Sequence, residues 1–444
     1  MKEKSRIPSF VERSDENPVG PLPRLQCADR QQVDPQPRRL DELIDGDHPA
    51  RVVWEFVEGL DLSALYERIR AVEGHAGRSA IDARILMALW LYATLDGVGS
   101  ARRLAKLCKE HNAYRWLGGG VTVNYHTLSD FRVQHGAWLE EQLTIQVAML
   151  MAEGLVDLNR TAQDGMRVRA SAGAGSFRRK RTLEKCLQEA EAHMAALRRE
   201  REENPAVAHK RRQAAQARAA RERQARIEEA LDQLADVQAK KKADEQEKAR
   251  SSTTDPEARV MKMADGGFRP AYNGQFCTDT PSQIIVGVEI SNAGSDQGQL
   301  VAMLDQVADH YGQYPDEALV DGGFVNKSDI ATVTAPGREV RLYAPVPKPK
   351  DDTRDPYMPL PTDSPAVAAW RQRMGTEEAK VIYKERAATA ECVNAIARNR
   401  GLQQFRVRGL QKVKAVLLWF ALAHNILRGA ALRLKAAATA ATIA

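Results

Sequence analysis

Cysteine is scarce. The five in 444 residues (Cys27, Cys108, Cys186, Cys277 and Cys392) are scattered and form no CxxC pair. That excludes a disulfide framework and a zinc ribbon, and it fits a reducing compartment, so a cytoplasmic chain is expected. Aromatic residues make up only 6%. Long apolar runs are missing too. The longest, Val413 to Leu427, falls short of the ~18 residues a membrane span needs and carries Lys414 and His424. The opening MKEKSRIPSFVERSDENP is polar and contains proline, so no signal peptide is expected there. Secreted, membrane and collagen-like classes drop out.

What is present is a chain with 43% apolar residues, enough for a real core, and room for roughly two to four domains. Lys plus Arg number 65 against 59 Asp plus Glu, a net charge of +6. A polyanionic partner suits that balance. Residues 1–50, rich in Pro, Asp, Arg and Gln, read as an extended arm. A helical block occupies 51–153. Ile81 to Tyr92 is apolar nearly all round, as a buried helix reads. Ser100 is a candidate N-cap for 101–110. His126 or Thr127 starts another short helix after Gly118-Gly-Gly120. Short helices joined by glycine turns resemble a helix-turn-helix, although a plain bundle fits as well. Arg102, Arg103, Lys106, Lys109, Arg115 and Arg132 fall on the polar faces.

From about 158 the period changes. Residues 161–170 read as a strand, with Met166 and Val168 alternating against Arg167 and Arg169. A charged helical insertion at 176–254 separates this strand from the later ones. Leu183, Leu187, Ala190, Met194 and Leu197 take 4-3-4-3 steps, and Ile227, Leu231 and Leu234 repeat them around Asn204-Pro205, so a helical hairpin is expected. Residues 178–250 hold 20 Lys/Arg against 14 Asp/Glu, a surplus equal to the net charge of the whole chain. Strands are expected near 260–263, 275–279, 284–290, 318–321 and 340–344, with an amphipathic helix through Leu300, Met303, Leu304 and Val307. A Pro-rich loop over 345–365 leads to helices at 366–374, 376–399 and 411–428. Taking 154–430 as one domain and 431–444 as a tail, the order is that of a ribonuclease-H-like α/β fold: a mixed sheet with a long helical-hairpin insertion, preceded by an all-α domain.

Three acids occupy compatible places in that sheet. Asp164 lies in the first strand, Asp321 ends a later strand before Gly322-Gly323, and Glu391 lies on the long helix. Phosphodiester chemistry commonly uses two Mg²⁺ ions ~4 Å apart, and hard ions need only a few converging carboxylates. Each acid alone reads as an ordinary turn or cap residue. Two further signals read blandly. His126 and His135 lack partners at ligand spacing, and no GKS or GKT comes after Gly120.

Four stretches then resemble a bacterial insertion-sequence transposase of the DDE class. They are ILMALWLYATLDGVGSARRLAKLCKEHNAYRWLGGG with HTLSDFR (85–132), AQDGMRVRASA (162–172), ALVDGGFVN (318–326) and the run from Tyr383 to Arg428. The last carries a signature of Tyr, Arg, Glu and a basic residue: Tyr383, Arg386, Glu391 and Arg398. Its usual form has three residues between Arg and Glu and ends in Lys; this chain has four and ends in Arg. The resemblance implies Asp164, Asp321 and Glu391 as a catalytic triad holding two Mg²⁺ or Mn²⁺ ions. It implies DNA contacts by Tyr383, Arg386, Arg398, Arg102, Arg103 and Lys106. It also implies cutting at terminal inverted repeats, joining of the freed 3′-OH to target DNA, and a homo-oligomer on DNA away from any membrane. A catalytically inactive DNA-binding derivative, or a related nuclease without strand transfer, stays open.

Overall fold

The computed structural model describes residues 39–69, 79–203, 210–349 and 354–443. Most of the expected N-terminal arm and the Asn204-Pro205 turn lie outside the described residues. The first elements are helical: α1 (Pro49–Glu58), α2 (Ser63–Tyr66), α3 (Ala83–Leu95), α4 (Ala101–Glu110), α5 (Asn112–Gly118), α6 (Tyr125–Gln134) and α7 (Gly136–Ala152). Helix α3 is buried nearly all round, as its composition requires. Ser100 caps α4 by accepting from Arg103 N. Helix α6 begins earlier than expected because Asn124, not His126, accepts from Thr127 N and closes the first turn.

The sheet begins with β1 (Arg160–Arg169), then β2 (Phe177–Arg178). The insertion comes next as α8 (Lys180–Glu203) and α9 (Lys210–Ala239), and β3 (Ser251–Ser252) closes it. Leu183, Ala230, Leu234 and Ala249 form its own small core. β2 and β3 pair antiparallel, so the two ends of the insertion meet at a narrow neck. Beyond the neck come β4 (Arg259–Lys262), β5 (Phe268–Asp279), β6 (Ile285–Ser291), α10 (Gln299–Tyr311), β7 (Glu317–Leu319), α11 (Lys327–Val333) and β8 (Arg341–Tyr343). Strand β1 is antiparallel to β5 and parallel to β7, and β7 is parallel to β8. β4 and β6 share the other edge of β5. The result is a mixed six-stranded sheet.

The chain closes with α12 (Pro365–Met374), α13 (Glu377–Arg386), a π-helical turn (Ala387–Glu391), α14 (Cys392–Asn399) and α15 (Leu410–Ile443). Two expectations are corrected here. The helix expected over 376–399 is not a continuous α-helix, because five residues fit into one wide turn at Ala387–Glu391. Helix α15 runs past 428, and by length and composition it is long and apolar enough to cross a membrane. Most of its apolar stretch is nevertheless buried inside the protein. Val413, Leu417 and Phe420 of α15 share one core with Met166, Tyr272 and Phe276 of the sheet and with Met87 and Leu91 of α3. A second core joins Leu319 and Leu342 to Leu304, Ile330 and Trp370. Each such side chain withdrawn from water contributes roughly 1.5–3 kcal/mol.

Candidate active site

Asp164 sits mid-strand on β1, opposite Phe276 of β5. Asp321 lies just past β7, the parallel neighbour of β1. Glu391 is the last residue of the π turn, which packs against both β1 and β5. Three segments far apart in sequence thus converge, and they converge on one side chain, Arg386 at the end of α13. Its Nη1 lies 2.6 Å from Glu391 Oε1, and its Nη2 lies 3.6 Å from Asp164 Oδ1 and 4.0 Å from Asp321 Oδ2. Arg386 is 8% exposed. Burial works against its charge, but Asp164, Tyr383, Glu391 and Asp321 more than offset that and hold it cationic.

The acids differ in exposure. The Asp164 side chain is 16% accessible, Asp321 40% and Glu391 55%. Burial pushes the Asp164 carboxyl up to about 6, aided by the Asp321 charge and opposed by Arg386. Asp164 also accepts from Gly165 N and from Asn394 Nδ2, each at 2.9 Å. Asp321 accepts from Gly323 N at 2.7 Å, so the glycine pair folds its backbone onto the carboxylate.

The π turn explains the extra residue in the Tyr–Arg–Glu spacing. On a regular α-helix, residues five apart point ~140° away from each other. A π turn holds five residues in one turn, which puts Glu391 over Arg386. A regular helix would set Ala387 and Ala388 on the face of Glu391. With the wide turn, Arg386 takes that place. Side chains bond carbonyls of this turn and of the one before it: Gln283 Nε2 donates to Ala388 O at 2.9 Å. Thr389 Oγ1 donates to Glu385 O at 2.9 Å. Gln283, in the β5–β6 turn, has φ +58°, a left-handed conformation that costs a non-glycine residue roughly 1–2 kcal/mol. His424 of α15 bonds its carbonyl at 2.9 Å and steadies it.

The other expected residues spread more widely. Burial raises the phenol of Tyr383, opposed by Arg386 and aided by the charges of Asp321, Glu391 and Asp164. Arg398 is exposed on α14 and forms no ion pair among the described residues. Arg102 stacks on Tyr125 at 5.1 Å, and Lys106 pairs with Glu110 at 3.6 Å, both on the exposed face of α4. Arg103 is exposed on the same helix. Arg132 is corrected: it turns inward, lies 4.7 Å over the Trp90 ring and donates to Gly99 O at 2.7 Å. Asn394 and Gln283 join the site without having been expected there. Asn394 lies three residues after Glu391, a spacing that alone could flag it; Gln283 carries no local signal.

Among the described residues, no three His, Cys, Asp or Glu side chains stand close enough together to hold a metal ion. The three carboxylates surround a guanidinium instead. The donor set still suits a hard divalent cation: all oxygen, with Asn394 Oδ1 buried beside Asp164 and lacking a hydrogen-bond partner among the described residues.

Two family models match the chain. One is described as Transposase domain (DUF772) and covers residues 38–134. The other is described as Transposase DDE domain and covers 361–429, the stretch that includes Arg386, Glu391 and Asn394. No curated protein and no solved structure matches. The two matches support an insertion-sequence DDE transposase, a class of protein that acts on DNA.

Proposed function

We propose that this transposase cuts the ends of its element and joins them to target DNA through Asp164, Asp321 and Glu391. The observation that carries the proposal is the convergence of these three acids on Arg386 from β1, the end of β7 and the π turn. The strand order β6-β5-β1-β7-β8, antiparallel then parallel, supports a ribonuclease-H-like core. The three acids would hold divalent ions, Mg²⁺ or Mn²⁺, which when bound neutralise charge developing on the phosphate and favour ionised water. Asn394 keeps one oxygen of Asp164 oriented. Arg386, the positive charge among the acids, balances them before DNA arrives and faces the scissile phosphate afterwards. Tyr383 and Arg398 flank the strand, while Arg102, Arg103 and Lys106 lie along the duplex leading to the terminal inverted repeat. In the first step water attacks phosphorus in line, the P–O3′ bond breaks, and the leaving 3′ oxygen takes up a proton. In the second, that 3′-OH attacks a target phosphorus and displaces a target 3′ oxygen. Positioning two DNA segments at once suits a homo-oligomer working in the cytoplasm.

The test is cleavage of DNA bearing the element ends, with Mg²⁺, by wild type and by Asp164→Ala, Asp321→Ala and Glu391→Ala. All three variants are expected to lose cleavage by at least ~10³-fold, the scale of a lost electrostatic group at such a site, while still binding DNA. Wild-type cleavage by any one of them removes that residue from the site.

A further inference from the structure

Arg132 does not stand alone in turning inward. A cavity of about 240 Å³ lies between the N-terminal helices and the segment joining α14 to α15. Arg103, Arg132, Arg400 and Arg406 all line it, and among the described residues no acidic side chain does. Two guanidinium nitrogens at this cavity, Arg132 Nε and Arg400 Nη1, are buried with no hydrogen-bond partner among the described residues. Buried donors left unmet are costly, and four like charges converging without a counterion repel one another. Burial and the Arg406 charge push Arg132 down to about 10. Burial also lowers Arg400. The surroundings are built rather than loose. Gly97 and Gly401 both take left-handed conformations, at φ +68° and +82°, and pack so closely that a Cβ on Gly401 would sit 3.0 Å from Gly97 O. Ser100 opens α4 onto the same cavity, adding the positive end of a ten-residue helix. Arg103 and Arg406 are exposed at its mouth.

We propose that this cavity is a phosphate-binding site that grips one backbone phosphodiester of the DNA, apart from the acidic centre. The assignment rests on the chain acting on DNA. A phosphate supplies both the missing charge and the missing acceptors, and the planar guanidinium fork matches its oxygens. The cavity stands between α4 and α6 on one side and the segment after α14 on the other. A phosphate held there would fix the duplex on the helical region and set its register relative to Glu391.

Binding of the full-length protein to a short labelled duplex, measured across a salt series, tests this. Arg400→Gln and Arg406→Gln are each expected to weaken binding about tenfold at moderate salt and to reduce the slope of log K against log salt by about 0.9, one phosphate's worth. Arg406→Lys should restore the slope. Melting temperature verifies that each variant is folded; Arg406, being exposed, can be removed without disturbing packing. An unchanged slope in folded Arg400→Gln and Arg406→Gln overturns the proposal. So does a result in which inorganic phosphate raises the melting temperature of wild type but not of these variants while their DNA slopes stay at the wild-type value, since the cavity would then take free phosphate only. Asp164→Ala keeps the two readings apart. If it abolishes cleavage while the arginine variants keep the wild-type slope, the phosphate site fails and the catalytic reading stands. If the arginine variants lose slope and Asp164→Ala still cleaves, the catalytic reading fails and the phosphate site stands.

Discussion

Deleting Ala388 should leave the protein nearly intact, which is not what removal of a residue from the middle of a helix normally does. In a continuous α-helix the loss of one residue rotates everything after it by ~100°. Val393, Asn394 and Ala397 of α14 are 1%, 4% and 0% exposed. Turning them by that angle would expose two apolar side chains, break the bond from Asn394 to Asp164 and carry Glu391 away from Arg386. The apolar term alone is roughly 2–4 kcal/mol. A π turn, however, holds one more residue than an α turn. Its removal lets Arg386 and Glu391 stand four apart on an ordinary helix, ~40° from eclipsed, with α14 still in phase. Deletion forfeits the bond from Gln283 to Ala388 O, about 1 kcal/mol, and shortens the Thr389-to-Glu385 spacing from four residues to three. Relief of the wide turn offsets part of that. The expected change on deletion is therefore within ~1 kcal/mol, whereas inserting a second alanine after Ala388 should cost ~3 kcal/mol or more, because the same apolar side chains would then turn toward water. Urea denaturation of both variants and wild type measures the difference directly. Equal, large losses for deletion and insertion would refute the account of the π turn. Because the readout is stability, the result does not depend on the enzyme's activity.

Two further outcomes are expected from the packing around this site. His424 is buried and pushed down to about 4 from the ordinary 6.5, first by burial and then by Arg400 and Arg428. The unfolded chain takes up that proton near 6.5 while the folded chain resists until about 4, so stability should fall as pH drops through this window, by up to ~3 kcal/mol. His424→Gln should lose less over the same range; parallel pH-stability curves would show that His424 is not the group responsible. The insertion is closed by the β2–β3 pair and has its own core. Replacing 180–249 by a short glycine-rich link should leave the remaining fold with a melting temperature within several degrees of wild type. The salt slope of DNA binding should fall if the basic surplus meets DNA, and an unchanged slope would assign the hairpin to another role.

Features that depend on neighbours along the chain are legible from the sequence alone. The all-apolar run of α3, the Ser100 cap, the alternation of β1 and the hairpin of the insertion each come from period and composition acting over one or two turns. The three acids are legible too, as candidates. The partner of each is not. Arg386 and Arg132 look alike in sequence, both basic residues on polar helix faces. One becomes the hub of three carboxylates because α13 ends against β1, and the other is drawn inward by the Trp90 ring and the Gly99 carbonyl. Long-range placement decides both, and no helical periodicity encodes it. The π turn is the instructive case. Helix propensity offers no sign of it, since Ala387, Ala388 and Ala390 favour an ordinary helix. Its trace is a spacing: four residues between Arg386 and Glu391 where the resembled signature has three. Taken as a departure, that extra residue weakens the match. Taken as geometry, it requires a turn that can absorb it, and that turn takes a side-chain donor onto one of its carbonyls. Gln283, in a strained hairpin more than a hundred residues away, is that donor. An irregular count in a motif is thus a statement about backbone shape, and the compensating contact is where it becomes testable.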